Sequence, residues 1–172
     1  MTERGSEVAI RATSERDQPW LRAWFRDHWG SEILVLRETV YHPWRLPGFV
    51  AEQGPRPVGL LTYRLADDEG EIMTLDSLLS GRGIGSALIT RAVTTARAAG
   101  CRRLVVVTTN DNMNALRFYQ KRGFALAALR PGAVTRGRRL KPEIPLRGDD
   151  DIPIRDELEL HMILTEPHSS GG

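Results

Sequence analysis

Apolar positions along the chain recur at spacings that name its elements. From Asp17 onward, Trp20, Leu21, Trp24, Phe25 and Trp29 stand at offsets 0, 1, 4, 5 and 9, one face of an amphipathic helix. A longer stripe, Ile84, Leu88, Ile89, Ala92, Val93, Ala96 and Ala99, ends at Gly100, where a helix-stopping glycine belongs. Residues 8–11 read as a strand, and Thr13-Ser14 can cap the helix that follows. Strands at 48–52, 58–63 and 71–77 are joined by turns at 53–57 and 67–70, connections too short for anything but an antiparallel meander. Residues 104–107 are apolar on both faces, as in a strand buried on both sides of a sheet. Strand, long helix and buried strand in that order make a crossover, so strands 71–77 and 104–107 are expected to run parallel. A short helix over 112–122 with Gly123 behind it, a strand at 124–129 and an alternating strand at 157–164 complete the pattern. Stretches 30–47 and 130–151 read as irregular. The fold class is α+β: a mixed, mostly antiparallel sheet flanked by helices, with one central β-α-β crossover.

Composition narrows the class without naming a function. The 172 residues make one domain, 1–172, with an ordered core expected at about 7–165 and flexible polar ends. Hydrophobic residues at 41% and charged ones at 27% suit a globular chain rather than a disordered one. One cysteine, Cys101, excludes an internal disulfide and a CxxC metal knuckle, and it fits a reducing, cytoplasmic compartment. No metal is called for. The N-terminal MTERGSEVAI lacks the apolar run of a secretory signal, and no stretch approaches a membrane span. A net charge of +2 is weak support for a nucleic-acid partner, and the long helix carries only Arg91 and Arg97 in its interior, so nucleic acid is set aside.

The sharpest chemical signal is Ser80-Gly81-Arg82-Gly83-Ile84-Gly85, between a strand and the long helix. Its glycines allow a sharp turn and bring bare N–H groups to a ligand, and the positive end of the helix behind them favours an anion such as phosphate. The bland alternative is a tight strand-to-helix turn. A dinucleotide fingerprint from Gly83 would need a small residue where Leu88 stands, and a P-loop would need Lys-Ser/Thr where Ser86-Ala87 stands.

The loop resembles the signature Gln/Arg-x-x-Gly-x-Gly/Ala of the GNAT acetyltransferases, with Ser80 departing from the first position. The second signature of that family, Asn-x-x-Ala-x-x-x-Tyr followed by Gly-Phe, is present as Asn112, Ala115 and Tyr119 with Gly123-Phe124. The resemblance covers about residues 7–165 and implies an N-acetyltransferase that moves the acetyl group of acetyl-CoA to a primary amine by direct attack in a ternary complex. Backbone groups of Met73, Thr74 and Leu75 would then hold the pantetheine arm and acetyl carbonyl, amides of Gly81, Arg82, Gly83, Ile84, Gly85 and Ser86 the pyrophosphate, and Asn112 a further part of CoA. Tyr119 would protonate the departing sulfur, a task suited to a phenol whose ordinary pKa of about 10 lies above that of a thiol. Without the resemblance, Asn112 reads as a helix cap and Tyr119 as a core aromatic. Seven residues apart on a helix, the two are expected to share a face.

The general base is the open position. Strand 104–109 offers no carboxylate, which leaves Glu71 and Asp76 on the preceding strand, expected on opposite faces because their spacing is odd. Glu71 is preferred, acting through water, against a solvated surface carboxylate; His42 is a rival. Cys101 has no nearby base and is a poor nucleophile.

The acceptor would be a small-molecule or peptide amine. Tyr41, His42 and Trp44 are expected at its pocket, with the helix tryptophans on the core face. Six cations, Arg130, Arg136, Arg138, Arg139, Lys141 and Arg147, fall in one short segment and read either as an embrace for an anion or as a solvated run balanced by residues 149–151. The alternative function is a catalytically weak GNAT-shaped acyl-CoA-binding or regulatory module, toward which Ser80 leans. Monomer and homodimer both stay open.

Overall fold

A computed structural model of the chain describes residues 7–165; nearly all of both polar termini lies outside them. The chain runs β1 (Val8–Ala12), α1 (Gln18–Trp29), β2 (Leu34–Leu36), β3 (Thr39–Tyr41), β4 (Gly48–Gln53), β5 (Arg56–Ala66), β6 (Glu69–Ser77), α2 (Ile84–Ala98), β7 (Arg103–Thr109), α3 (Met113–Lys121), β8 (Ala125–Arg130), α4 (Ala133–Gly137) and β9 (Glu157–Ile163). Seven strands form one sheet in the order β1-β4-β5-β6-β7-β9-β8, and β2 and β3 form a separate hairpin. Within the large sheet β6 and β7 are parallel, joined by α2, and every other pair is antiparallel. The expected crossover is present.

Both faces of the sheet are covered. On one, α2 lays Ile84, Leu88, Ile89, Ala92 and Ala96 on Phe49, Ala51, Val58 and Leu61, and Tyr119 and Phe124 complete the cluster. On the other, Leu21, Trp24 and Phe25 of α1 pack on Val50 and Leu60. Each fully buried Leu or Phe stabilises by about 1.5–3 kcal/mol over its exposed state. Among the described residues no helix is long and apolar enough to cross a membrane.

Two segments read as irregular carry structure. The β2–β3 hairpin turns through Arg37 and Glu38 at φ +50 and +56, a geometry usually given to Asn-Gly or Gly-Gly. Left-handed backbone costs an ordinary residue roughly 1–2 kcal/mol. Here the turn is held from outside: both oxygens of the buried Glu157 carboxylate accept the Arg37 N–H, at 3.0 and 3.2 Å. Likewise α4 is anchored by Gly132 N–H donating to Asp156 Oδ1 at 2.7 Å and Val134 N–H to the Arg155 carbonyl at 2.9 Å. Neither anchor is local, so no local pattern could announce these elements.

The sheet comes apart at its centre. β6 and β7 pair only from Glu69 to Ile72 and from Arg103 to Val106. The β5–β6 register shifts between Thr62 and Tyr63, leaving Met73 as an extra residue on β6. Such a bulge bends its strand and sharpens its twist. Past it, Met73 to Ser77 and Val107 to Thr109 diverge, and the facing edges open as a wedge.

At the entry to α1, Arg11 clamps the buried carboxylate of Asp17 with two bonds of 2.9 and 3.0 Å, and Ser14 N–H and Trp20 Nε1 each donate to it at 2.7 Å. These donors hold Asp17 well below the usual carboxylate range, the Arg11 bonds contributing most. A carboxylate lowered on folding stabilises the protein above its unfolded value near 4, and that contribution is lost as pH falls toward the lower folded value. We expect Asp17→Asn to lower stability by about 1–3 kcal/mol at pH 7, and the difference from wild type to shrink in denaturation curves taken at progressively more acid pH.

Candidate active site

On the α2 side of the wedge lies an anion cradle. Gly81 and Gly83 both take φ +70, and a Cβ at either position would meet nothing within 4 Å, so the loop surface is bare backbone. Gly83 is the N-cap of α2; no side chain caps it, and the first turn holds no acidic residue. The first N–H groups of a helix have no partner within it, and here they stand at its positive end. Phe118 Cζ would lie 2.9 Å from a Cβ at Gly85, so α3 packs directly against that first turn. Arg122 closes the far side: its Nε donates to Ser86 Oγ at 2.8 Å, and its guanidinium sits 3.5 Å over the Phe118 ring. The cavity, about 610 Å³, continues from loop and arginine to the apolar wall of Leu75, Ala115 and Tyr119. Bare amides and a guanidinium at one end, with an apolar channel leading into the wedge, fit a phosphate-bearing ligand with a long tail.

A second cavity, about 230 Å³, opens on the other side of the wedge. Met73, Val107, Thr108 and Thr109 form its floor, Trp29 and Leu34–Leu36 one wall, and Ala133, Val134, Gly137 and Ile144 another, with Lys141 and Glu157 as its charged groups.

The bulge decides which carboxylates face this second side. Asp76 lies opposite Leu60, Thr74 opposite Thr62 and Glu71 opposite Arg64, so the extra residue puts Glu71 and Asp76 on one face rather than two. Their environments differ. Glu71 is buried in the paired part of β6, level with Val105; its Oε2 accepts from Arg37 Nη2 at 2.8 Å and Arg64 Nε at 2.9 Å. Its Oε1 lies 2.7 Å from Arg37 Nη2 but outside hydrogen-bond geometry. Neither Glu71, the preferred base, nor Asp76 lines a cavity of the wedge; two guanidinium groups clamp Glu71 below the point where the strands part. Asp76 stands beyond that point. Its Oδ2 accepts from both Trp24 Nε1, at 2.9 Å, and Trp29 Nε1, at 2.8 Å. Burial nevertheless outweighs these donors and raises its pKa above the ordinary value. Tyr119, buried on the opposite side, has its phenol pushed up by burial and then by the charge of Asp76. A carboxylate and a phenol, each with its pKa raised by burial, thus lie on opposite sides of β6.

Other expected residues separate. Leu75, Gly81, Gly83, Ile84, Gly85 and Ser86 line the cradle, whereas the exposed Arg82 does not. Met73 faces the smaller cavity, and the buried Thr74 hydroxyl is 2.6 Å from that of Thr62, leaving its backbone on the open edge. Asn112 and Tyr119 do not share a face: α3 starts at Met113, and Asn112 is its N-cap, accepting from Ala115 N–H at 3.0 Å and lining the smaller cavity. Tyr41 lies under Arg64, and His42 and Trp44 meet edge to face; none of the three lines a cavity of the wedge. Burial pushes the Cys101 thiol up, which keeps it inert. Sequence reasoning missed Phe118 and Arg122, whose i, i+4 spacing was the one signal available.

Fold and site together place two cavities on opposite sides of a parted sheet edge, a larger one at the glycine loop and a smaller one beside the β2–β3 hairpin. The profile of the Acetyltransferase (GNAT) family matches residues 11–124, and the chain belongs to that family. It is 44% identical over 152 residues to the uncharacterized protein YxbD of Bacillus subtilis (strain 168), spanning 88% of this chain and 96% of that one. YdhI of the same organism is 41% identical over 158 residues, spanning 91% and 99%. Among solved structures, yncA of Salmonella typhimurium, described as a putative acetyltransferase with its cofactor acetyl-CoA, superposes with a TM-score of 0.66 at 17% identity, covering 96% of this chain and 98% of that one.

The cradle makes a direct prediction. Gly83→Asp places a carboxylate into open space at the anion site, and Asp tolerates left-handed backbone better than most residues. CoA affinity measured by calorimetry should fall at least tenfold, while thermal unfolding shifts by only a few degrees.

Proposed function

We propose that the protein is an acetyl-CoA-dependent N-acetyltransferase that joins acetyl-CoA and an amine in a ternary complex and transfers the acetyl group by direct attack. The observation that carries this reading is the pair of cavities on the two sides of the parted edge, the larger lined by Leu75 and Tyr119 and the smaller by Met73. Acetyl-CoA supplies an activated acyl group on a thiolate leaving group. The first-turn amides of α2 and Arg122 hold its phosphates, and the unpaired backbone of residues 73–75 offers hydrogen bonds to its arm and to the acyl oxygen. Asp76, oriented by Trp24 and Trp29, takes the proton of the attacking amine. Tyr119, kept protonated by burial and by the Asp76 charge, donates to the departing sulfur. Each proton transfer contributes about 10²–10⁴ in rate.

Two results test the reading. Calorimetry should show saturable acetyl-CoA binding, and an amine screen should release CoA thiol only when an amine is present; binding without release from any amine would assign the chain to a non-catalytic acyl-CoA-binding role. Tyr119→Phe should lower kcat by at least tenfold and leave acetyl-CoA affinity within about twofold. Because burial raises the Asp76 pKa, wild-type kcat/KM should drop as pH falls through that raised value. Asp76→Asn should cost about 10²–10⁴ in kcat and flatten that limb; an unaltered profile would remove Asp76 from the role.

A further inference from the structure

The six cations of the segment after β8 meet different fates. Arg130 pairs with Glu159 at 2.9 Å, and Arg136 and Arg139 pair with Glu38 at 3.1 and 3.7 Å. Arg138 donates to the carbonyls of Ile144, Pro145 and Ile154, and Arg147 reaches Asp151 at 3.4 Å. These five thus have partners, in β9 for Arg130, in the β2–β3 turn for Arg136 and Arg139, and within residues 144–154 for Arg138 and Arg147. Lys141 is the exception. Its Nζ donates once, to the Ile33 carbonyl at 3.0 Å, makes no ion pair among the described residues, and lines the smaller cavity.

That cavity is otherwise apolar on most sides, from Leu34, Val35, Leu36, Val107, Val134 and Ile144. A half-buried ammonium facing apolar walls is poorly solvated; burial pulls the Lys141 pKa down, against a smaller upward pull from Glu143. Two of its three N–H donors have no acceptor among the described residues. At the opposite charge extreme, the Glu157 carboxylate is 2% exposed, accepts only the Arg37 N–H, and has no ion pair among the described residues. A cavity that holds one cation and one carboxylate, both without ion partners, inside an apolar lining is complementary to a molecule carrying both charges on an apolar body. Its volume of about 230 Å³ lies below the roughly 300–1,000 Å³ of pockets that enclose drug-sized ligands. A single lysine without an arginine fork suits a singly charged carboxylate better than a phosphate.

We propose that the acceptor is a small apolar amine that also bears a carboxylate, of the α-amino-acid type, with Lys141 binding the carboxylate and the apolar walls receiving the side chain. This rests on the smaller cavity being the acceptor site. The amine end is then left toward Glu157 and the open edge at Met73, and the carboxylate is held away from it, so Lys141 sets specificity and takes no part in proton transfer.

The test uses the protein saturated with CoA, which binds without reacting. Calorimetric titration compares leucine, methionine and phenylalanine with their decarboxylated counterparts isopentylamine, 3-(methylthio)propylamine and phenethylamine. At least one amino acid should bind tenfold or more tightly than its counterpart. Lys141→Met, and Lys141→Gln, which keeps a donor for the Ile33 carbonyl, should both erase that preference while CoA affinity stays within twofold. The proposal is overturned if the amines match or exceed the amino acids, if none of the amino acids binds, or if the preference survives both substitutions. Turnover is a separate readout: an amino acid that binds but never elicits thiol release from acetyl-CoA defeats the acetyl-transfer reading and leaves the acceptor class standing. Acetylation of the decarboxylated amines alone does the reverse.

Discussion

The bulge at Met73 is the constraint on which the site depends. A parallel ladder continued past Ile72 would have satisfied the backbone of both β6 and β7 and closed the sheet. One extra residue on β6 bends it away instead, and each strand keeps its outer neighbour while its inner edge stays open. Unpaired backbone groups away from water are costly, so an open edge inside a sheet invites a guest that can hydrogen-bond to it. The same residue shifts side-chain parity, so that Asp76 points toward α1 and its two tryptophans while Leu75 remains on the α2 side. The placement of Asp76 and the opening of the strand edge thus share one origin.

Around the closed end of the wedge, charge does structural work. Glu71 and Glu159 are engaged by Arg37, Arg64 and Arg130, and Glu157 fixes the backbone of the Arg37 turn. The strained β2–β3 hairpin survives because its turn residue makes three such contacts at once, and that hairpin is a wall of the smaller cavity. Carboxylates that read as free chemistry in a linear sequence are, in three dimensions, the fasteners of the cavity wall. Asp76 differs because it meets indole N–H groups rather than guanidinium groups: neutral donors orient a carboxylate without neutralising it, and burial then raises its affinity for a proton.

Periodicity, and backbone chemistry confined to a few adjacent residues, were legible in the linear chain. The α2 stripe, the apolar run of β7, the order that forces a parallel crossover, and glycines at 81 and 83 that alone tolerate φ +70 without strain are all local statements, and the structure carries each of them. Features that rest on contacts between distant residues emerged only on folding. The hairpin at 34–41 exists because of Glu157, more than a hundred positions away. The expectation that Glu71 and Asp76 point to opposite faces failed because one bulged residue reverses face parity, and Arg37, which clamps Glu71, comes from a segment with no pattern of its own. Lys141 stands apart from five neighbouring arginines only once each arginine has found its partner. Spacing along a chain specifies which way a side chain points within its own element; which other charge it meets there is set by packing, and that is what makes Glu71 a fastener and leaves Asp76 held by neutral donors alone.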